Sequence, residues 1–168
     1  MGRYLIILTA LLFLACSDGD LQIETIDFDG ESIQFCDSQT TTQSDFFFKI
    51  SGDQALILDL QDGVLKNEVS DGTIVSTIPT QSRLIYRIFS DDVSKSYFCD
   101  DLPPADPSVL EEVEAAAGEI LVTTIQSESD STQFEHNIVI SNISLVNDKG
   151  ERITDLRISN FGTITTSE

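Results

Sequence analysis

The strongest signal in this 168-residue chain is the alternation of apolar and polar side chains before its midpoint. Residues 46–50 and 56–60 each place an apolar side chain at every second position. The intervening Ser51-Gly52-Asp53 is rich in turn formers, and such a run between two alternating segments is typical of a β-hairpin. The pattern therefore predicts two half-buried antiparallel strands at this point.

Shorter alternating or β-branched runs predict further strands along most of the chain. Asp29-Gly30 is a two-residue hairpin signal and is expected to join the first two strands. The apolar positions change phase near Ser141-Asn142, which predicts a β-bulge in a bent strand. Besides the two strands at residues 46–50 and 56–60, these runs lie at residues 21–28, 32–36, 64–65, 73–78, 83–89, 95–99, 120–125, 134–140 and 153–164.

One segment, from Pro107 to Ala117, has the pattern of a helix. Asp106 is a suitable N-cap, Pro107 suits the first helical position, and Gly118 suits the position after the last turn. The apolar residues form one stripe, and the glutamates face the other side, where water would solvate them. The stripe consists of Val109, Leu110, Val113 and Ala117, and the glutamates are Glu111, Glu112 and Glu114.

Many short strands with turn signals between them are typical of an antiparallel β-sandwich. We therefore expect an all-β chain in which residues 21–168 form a single β-sandwich domain of about nine short strands with one short helix. A β-barrel is the alternative architecture. Apolar residues make up 40% of the chain, which is enough for a hydrophobic core.

The first fifteen residues have the organisation of an export signal. Arg3 provides a positive charge, and the segment from Leu5 to Leu14 is apolar. A run of this length is too short to cross the hydrocarbon core of a bilayer, which takes about 20 apolar residues. Residues 1–15 are therefore expected to be a cleaved signal peptide.

The end of this signal, Phe13-Leu14-Ala15-Cys16, resembles the lipobox of bacterial lipoproteins. The commonest lipobox has leucine and then a small residue where Phe13 and Leu14 stand here. The resemblance implies that the thiol of Cys16 is acylated and that Cys16 becomes the first residue of the mature chain. Two acyl chains would anchor the protein stably, whereas one binds only marginally. An ordinary signal peptide, cut near Cys16, is the alternative.

Residues 17–20, Ser-Asp-Gly-Asp, resemble the short acidic tether that directs Bacteroidetes lipoproteins to the outer face of the outer membrane. Residues 16–20 would then be an acylated cysteine with its tether, and the domain would be displayed on the cell surface. A periplasm-facing anchor is the alternative location. The run from Tyr97 to Val113 is also similar to small uncharacterised flavobacterial lipoproteins, a resemblance that implies no activity.

Cys36 and Cys99 are the cysteines that remain if Cys16 is acylated. An even number of thiols in an exported protein is expected to pair, so the sequence predicts a disulfide between them. On the chain-entropy description, closing a loop of this length stabilises a fold by roughly 4 kcal/mol. A reactive or metal-binding thiol pair is the alternative, although the chain has no C-x-x-C motif.

The charge of the chain limits its partners. Nine basic and 29 acidic residues give a net charge of −20, and the loss of Arg3 with the signal would change this to −21. Such a surface repels nucleic acid and anionic lipid, so nucleic acid is not an expected partner. The membrane is expected to be a partner only through the N-terminal lipid.

Few side chains point to catalysis, and no catalytic residue is assigned. His136, the single histidine, lies in an alternating apolar strand, where a packed or rim position is expected. No G-x-S-x-G, H-E-x-x-H or P-loop motif occurs. Asp27-Phe28-Asp29-Gly30-Glu31 has the opening of a calcium loop but lacks the later ligands of an EF-hand, so a plain turn is the preferred interpretation. No metal or cofactor is expected.

These observations favour a non-catalytic accessory or binding module on the membrane, with an unknown protein or polymer as its ligand. The chain has no tryptophan, and Tyr86 and Tyr97 are the only tyrosines after the signal, so a glycan platform would have to use phenylalanine. The alternative is a small hydrolase that works through paired carboxylates. A deep cleft with two buried, converging carboxylates would favour the hydrolase, and a shallow surface would favour the binding module.

Overall fold

The computed structural model describes residues 25–147, 149–150, 152–153 and 155–167, so the predicted signal peptide, Cys16 and the tether lie outside the described residues. Within this part of the chain there are ten strands and one short helix. No described helix is long and apolar enough to cross a bilayer. The elements are β1 (Thr25–Asp27), β2 (Phe46–Ser51), β3 (Gln54–Asp59), β4 (Ile74–Ile78), β5 (Arg83–Phe89), α1 (Lys95–Cys99), β6 (Val109–Gln126), β7 (Gln133–Val146), β8 (Arg152–Ile153), β9 (Asp155–Arg157) and β10 (Asn160–Ser167).

The long strand β6 belongs to both layers of the fold. Its first part pairs with β5, which continues through β3 to β2, and we call these four strands layer A. Its remaining part pairs with β7 on one side and with β4 on the other, and β7 also pairs with β8 and β10. We call this second group layer B. All of these pairings are antiparallel, and β1 with β9 forms a separate parallel pair.

The two layers pack face to face over one buried hydrophobic cluster, which confirms the predicted all-β sandwich. The described sheet ends at β2 on one side and at β10 on the other, so it is not closed into a barrel. Burial of each large apolar side chain in such a core contributes about 1.5–3 kcal/mol. Its fully buried members include Phe47, Leu58 and Tyr86 from layer A and Ile120, Ile138 and Phe161 from layer B.

A second, smaller cluster covers the part of the outer face of layer A that β2 and β3 form. The sequence predicts a strand at residues 95–99, and this prediction is wrong because the segment forms α1. Successive side chains of a strand point to opposite faces, whereas one helical turn lets Tyr97 and Phe98 both face the sheet. Phe98 stacks on Phe48 with ring centroids 4.4 Å apart, and Tyr97 meets Phe89 edge-on at 4.8 Å. Strands β2 and β3 are therefore buried on both faces, and not half-buried as the sequence predicts.

A disulfide joins Cys36 to Cys99, as the sequence predicts. Cys36 lies in the segment between β1 and β2, and Cys99 ends α1. The bond spans 63 residues and fixes α1 to this segment at the border of the outer aromatic cluster.

The predicted helix from Pro107 to Ala117 is wrong, because most of it forms the first part of β6. Val113 and Ala115 face the core, and the alternate glutamates face arginines of β5. Arg83 Nε donates to Glu114 Oε1 at 2.9 Å, and Arg87 forms the corresponding pair with Glu112. Helix propensity differs among these residues by only tenths of a kcal/mol, so pairing with β5 and β7 decides the conformation.

Gly118 lies where β6 passes from layer A to layer B, and it is not a helix cap. Its φ is +149°, a region that glycine alone adopts readily. The pairing of β6 with β7 shifts register on both sides of Ala117, and Asn142 of β7 has φ of +54°. These shifts confirm the bulge predicted near Ser141-Asn142, and they let both strands bend together.

The hairpin of β2 and β3 is confirmed, whereas the hairpin predicted at Asp29-Gly30 is wrong. A turn is present there, with Glu31 N donating to Phe28 O at 3.1 Å. The following residues form no strand and only one bridge, from Gln34 to Phe48. Strand β1 instead pairs with β9, which lies far along the chain and cannot be anticipated from local turn chemistry. Residues 64–65 are buried but form no strand either.

We expect Gly118→Ala to destabilise the fold by about 3 kcal/mol, because it combines backbone strain with overpacking. The added Cβ would overlap Ile143 Cδ1 and lie 3.2 Å from both Ile143 Cα and Ser141 O. Urea unfolding of the variant and of the wild type measures the difference. The matched control is Gly30→Ala, since nothing lies within 4 Å of that position and the change should stay within about 0.5 kcal/mol. Equal unfolding midpoints for Gly118→Ala and the wild type would contradict this account of the bend.

Candidate functional site

A groove of about 600 Å³ lies between β10 and the segment that connects β1 to β2. Residues 160–165 of β10 form one wall, and Ile33, Phe35 and Thr40 contribute to the opposite wall. Asp29 and Glu31 stand on its border, where both are exposed. A volume of this size is within the range of ligand-binding sites in proteins.

The wall opposite β10 is held in place although it has no regular secondary structure. Gln34 exchanges two main-chain hydrogen bonds with Phe48, of 2.7 and 3.0 Å. The disulfide fixes Cys36 two residues later. At the far end, the hydroxyl of Thr40 donates to the carbonyl of Thr165 in β10. The groove is therefore a feature of the folded chain, bounded by a restrained segment on one side and a strand on the other.

Lys49, a buried lysine, joins three elements at one end of the groove. Its Nζ donates to Phe28 O at 2.8 Å and to Asn160 O at 3.0 Å, and it lies 5.6 Å from the centre of the Phe161 ring. The residue is only 2% exposed. Burial lowers the pKa of Lys49, and the negative charges of Asp29 and Glu31 oppose that effect. The ammonium group thus ties the end of β1 and the start of β10 to β2.

The carboxylates considered for calcium point to separate partners. Asp29 Oδ1 accepts from Asn160 N at 3.1 Å, and Glu31 Oε1 accepts from the Ser51 hydroxyl at 3.2 Å. Asp27 forms an ion pair with Arg157 at 3.5 Å. Among the described residues, no group of three or more histidine, cysteine, aspartate or glutamate side chains is placed to hold a metal ion.

His136 is completely buried in layer B, as its place in an apolar strand predicts. Its Nδ1 lies 2.8 Å from the Thr124 hydroxyl, and its Nε2 lies 2.8 Å from the Thr166 hydroxyl. Thr166 donates its own proton to Asn67 Oδ1 at 2.6 Å. Nε2 must therefore carry the proton that Thr166 accepts, and Nδ1 accepts from Thr124. Burial lowers the pKa of His136, so the ring is held neutral as part of a structural hydrogen-bond chain.

The geometry expected of a carboxylate hydrolase does not occur in this groove. Asp29 and Glu31 are exposed, and among the described residues no pair of buried carboxylates converges on it. Burial raises the pKa of Asp59, but that carboxyl lies at the end of β3, 3.6 Å from Arg83, and does not line the groove. What the groove offers chemically is a set of main-chain groups, hydroxyls and apolar surface, with the exposed carboxylates of Asp29 and Glu31 on its border.

Sequence reasoning did not identify Lys49 or the edge of β10 as parts of a site. The alternation predicts the strand β2 but not which of its faces is buried. Phe46 and Phe48 contact the outer cluster, and Phe47 lies in the main core. Lys49 is also buried. The only indication in the sequence that Lys49 is buried is its position two residues after Phe47, which places both side chains on the same face of the strand. The groove itself brings together residues more than 100 positions apart, and no local pattern encodes that contact.

The comparisons with known proteins return no relative of this chain. No model of a protein family matches it, and neither a curated protein nor a solved structure is significantly similar to it. Function is therefore inferred from the sequence and from the geometry of the groove.

We expect the imidazole of His136 to titrate below its ordinary pKa of 6.5, because burial penalises the charged ring. The contribution of this group to the free energy of unfolding is complete above pH 6.5. It declines as the pH falls from 6.5 towards the folded pKa, by at most about 1.4 kcal/mol per pH unit. Proton NMR of the ring measures the pKa directly, since the chain has a single histidine.

A variant separates this contribution from the titration of the many carboxylates. The stability advantage of the wild type over His136→Gln should shrink as the pH falls through the same window, because glutamine does not titrate. A histidine signal with a midpoint at or above 6.5 would contradict the buried neutral assignment.

Proposed function

We propose that this chain is a lipoprotein of the outer membrane that is displayed on the cell surface and acts as a non-catalytic binding module. The observation that carries the proposal is the groove between β10 and the β1–β2 segment, which is open to solvent and restrained on both sides. The anchor and its location are inferred from the lipobox-like Phe13-Leu14-Ala15-Cys16 and from the acidic residues that follow it.

Three features of the domain support binding rather than turnover. The single histidine is fully committed to structural hydrogen bonds. The carboxylates at the groove, Asp29 and Glu31, are exposed and hydrogen-bonded to separate neighbouring groups, so they do not form the converging pair that a carboxylate hydrolase uses. The disulfide and the sandwich core give a rigid scaffold, and a rigid scaffold lowers the conformational cost of binding.

The net charge of −20 also fits a surface-displayed module. Such a charge keeps the domain soluble and holds it away from anionic headgroups, so that it extends from the membrane on its lipid anchor. It favours ligands that carry positive charge and disfavours nucleic acid.

We expect labelling with radioactive palmitate to mark the wild-type chain at Cys16. The Cys16→Ala variant should carry no label, because the thiol is the acceptor. The matched control is the double variant Cys36→Ala/Cys99→Ala, which removes the other two cysteines and should still be labelled. Equal labelling of the wild type and Cys16→Ala would refute acylation at this residue.

We further expect protease added to intact cells to degrade the domain. Neutralising the tether with Asp18→Asn/Asp20→Asn should protect the domain by leaving it in the periplasm. The control is Asp100→Asn/Asp101→Asn, an exposed pair whose neutralisation changes the charge equally and leaves the tether intact, and it should remain protease-sensitive. Wild-type protein that is cleaved only after cell lysis would show that the anchor faces the periplasm.

A further inference from the structure

The main-chain groups of β10 alternate between its partner β7 and the groove. Ile140 N of β7 donates to Ser159 O, whereas Gln133 O of β7 accepts from Ser127 N beside β6. Even-numbered residues of β7 therefore bond towards β10, and their partners in register include Ile164 and Thr166. The intervening residues Thr163 and Thr165 direct their N–H and C=O groups away from β7, into the groove.

Both ends of this strand edge are covered by side chains of the protein itself. At the start, Asn160 N donates to Asp29, and Asn160 O accepts from Lys49. At the end, Thr165 O accepts from Thr40, and Ser167 O accepts from Asn67 Nδ2 at 3.0 Å. Between them, the N–H and C=O of Thr163 and the N–H of Thr165 have no partner among the described residues.

The surroundings of these three groups define the chemistry of an occupant. Ile33 and Phe35 are partly buried on the wall opposite the edge and offer apolar contact. Asp29 and Glu31 place two exposed carboxylates near the start of β10, on a chain whose net charge is −20. An occupant therefore needs main-chain donors and acceptors, apolar side chains at alternate positions, and positive charge.

We propose that the groove accepts an extended cationic peptide segment of a partner protein, which pairs with β10 as an added strand. The peptide residue opposite Thr163 would exchange two main-chain hydrogen bonds with it, and another carbonyl of the peptide would accept from the N–H of Thr165. Strand addition supplies affinity through such main-chain bonds and specificity through alternate side chains. This inference deepens the proposed function, because it names the class of ligand that the binding module takes.

A second copy of the chain fits the edge less well. Two domains of net charge −20 repel each other at the distance that strand pairing requires. The segment with Ile33 and Phe35 also lines the groove opposite this edge. An intact sheet would meet this wall, and a single extended segment is the narrower occupant. A single peptide is therefore the occupant that charge and space both favour.

Synthetic peptides test this directly against the full chain purified in mild detergent. The probe is the capped peptide Lys-Val-Thr-Val-Thr-Val-Lys, with binding measured by isothermal titration calorimetry and by NMR. Two N-methylated forms of this peptide are compared. One form has its N–H groups blocked at one pair of alternate residues, and the other form has them blocked at the intervening pair. We expect one form to bind at least tenfold more weakly and the other to bind nearly as well as the parent, because only one set of amides faces β10. The analogue with glutamate in place of both lysines should also bind more weakly.

Variants of the protein locate the site. Thr163→Pro removes the outward N–H without removing a bond to β7, since proline is tolerated on the free side of an edge strand, and it should weaken binding about tenfold. Its control Thr163→Ala keeps the N–H and should bind like the wild type. Glu31→Gln retains the side-chain acceptor and should weaken binding of the lysine peptide about threefold. If Thr163→Pro fails to fold, the pair of N-methylated peptides still decides the question on the wild-type protein.

Three outcomes overturn the proposal. The first is no binding of any peptide at up to about 1 mM. The second is equal affinity for both N-methylated peptides together with unchanged binding to the Thr163→Pro variant. The third is a concentration-dependent dimer that Thr163→Pro abolishes, which would assign the edge to a second copy. None of these results bears on palmitate labelling or protease sensitivity on intact cells, so failure of the peptide site and failure of the anchored-module proposal are distinguishable.

Discussion

The architecture depends on one strand that serves both layers. Residues 109–114 of β6 complete layer A, and the rest of β6 lies at the centre of layer B, between β4 and β7. The strand can change layer only if its backbone bends sharply without a side chain in the way. Gly118 meets both requirements, and the bulge at Asn142 gives β7 a matching bend. The position of β7, and with it of β10, follows from this bend.

The sequence predicts the fold class because alternation is strong in the paired strands, and it fails where local preference and tertiary pairing disagree. Residues 107–117 contain good helix formers with helical spacing, yet the same residues also alternate as a strand. The deciding information lies in β5, where Arg83 and Arg87 stand opposite Glu114 and Glu112. The strand predicted at residues 95–99 is wrong for the opposite reason, since the pattern suggests a strand and packing favours a helical turn. Adjacent Tyr97 and Phe98 both pack in the same aromatic cluster, which a strand does not allow.

The disulfide and the buried histidine could be predicted from the sequence, whereas the groove and the buried lysine could not. The pairing of Cys36 with Cys99 and the burial of His136 follow from residue counting and from strand phase. The groove does not follow from either, because its two walls are far apart in sequence and meet only after both layers have assembled. Lys49 depends on the same long-range assembly, since its ammonium group bonds to carbonyls of Phe28 and Asn160.

The distribution of charge distinguishes two strand edges of the sandwich. The free side of residues 109–114 belongs to a run that carries three glutamates, and charges at an edge discourage pairing with another strand. Strand β10, Asn160–Ser167, contains no charged residue at all, although acidic residues are abundant elsewhere in the chain. Its protection comes instead from Lys49, Asp29, Thr40 and Asn67, which cover its ends and leave the middle open. The uncovered middle of β10 directs its main-chain groups into a groove with a wall on the opposite side. This wall restricts pairing to a single narrow strand. That restriction is what a selective peptide site requires, since it admits a flexible segment and excludes the edge of an intact sheet.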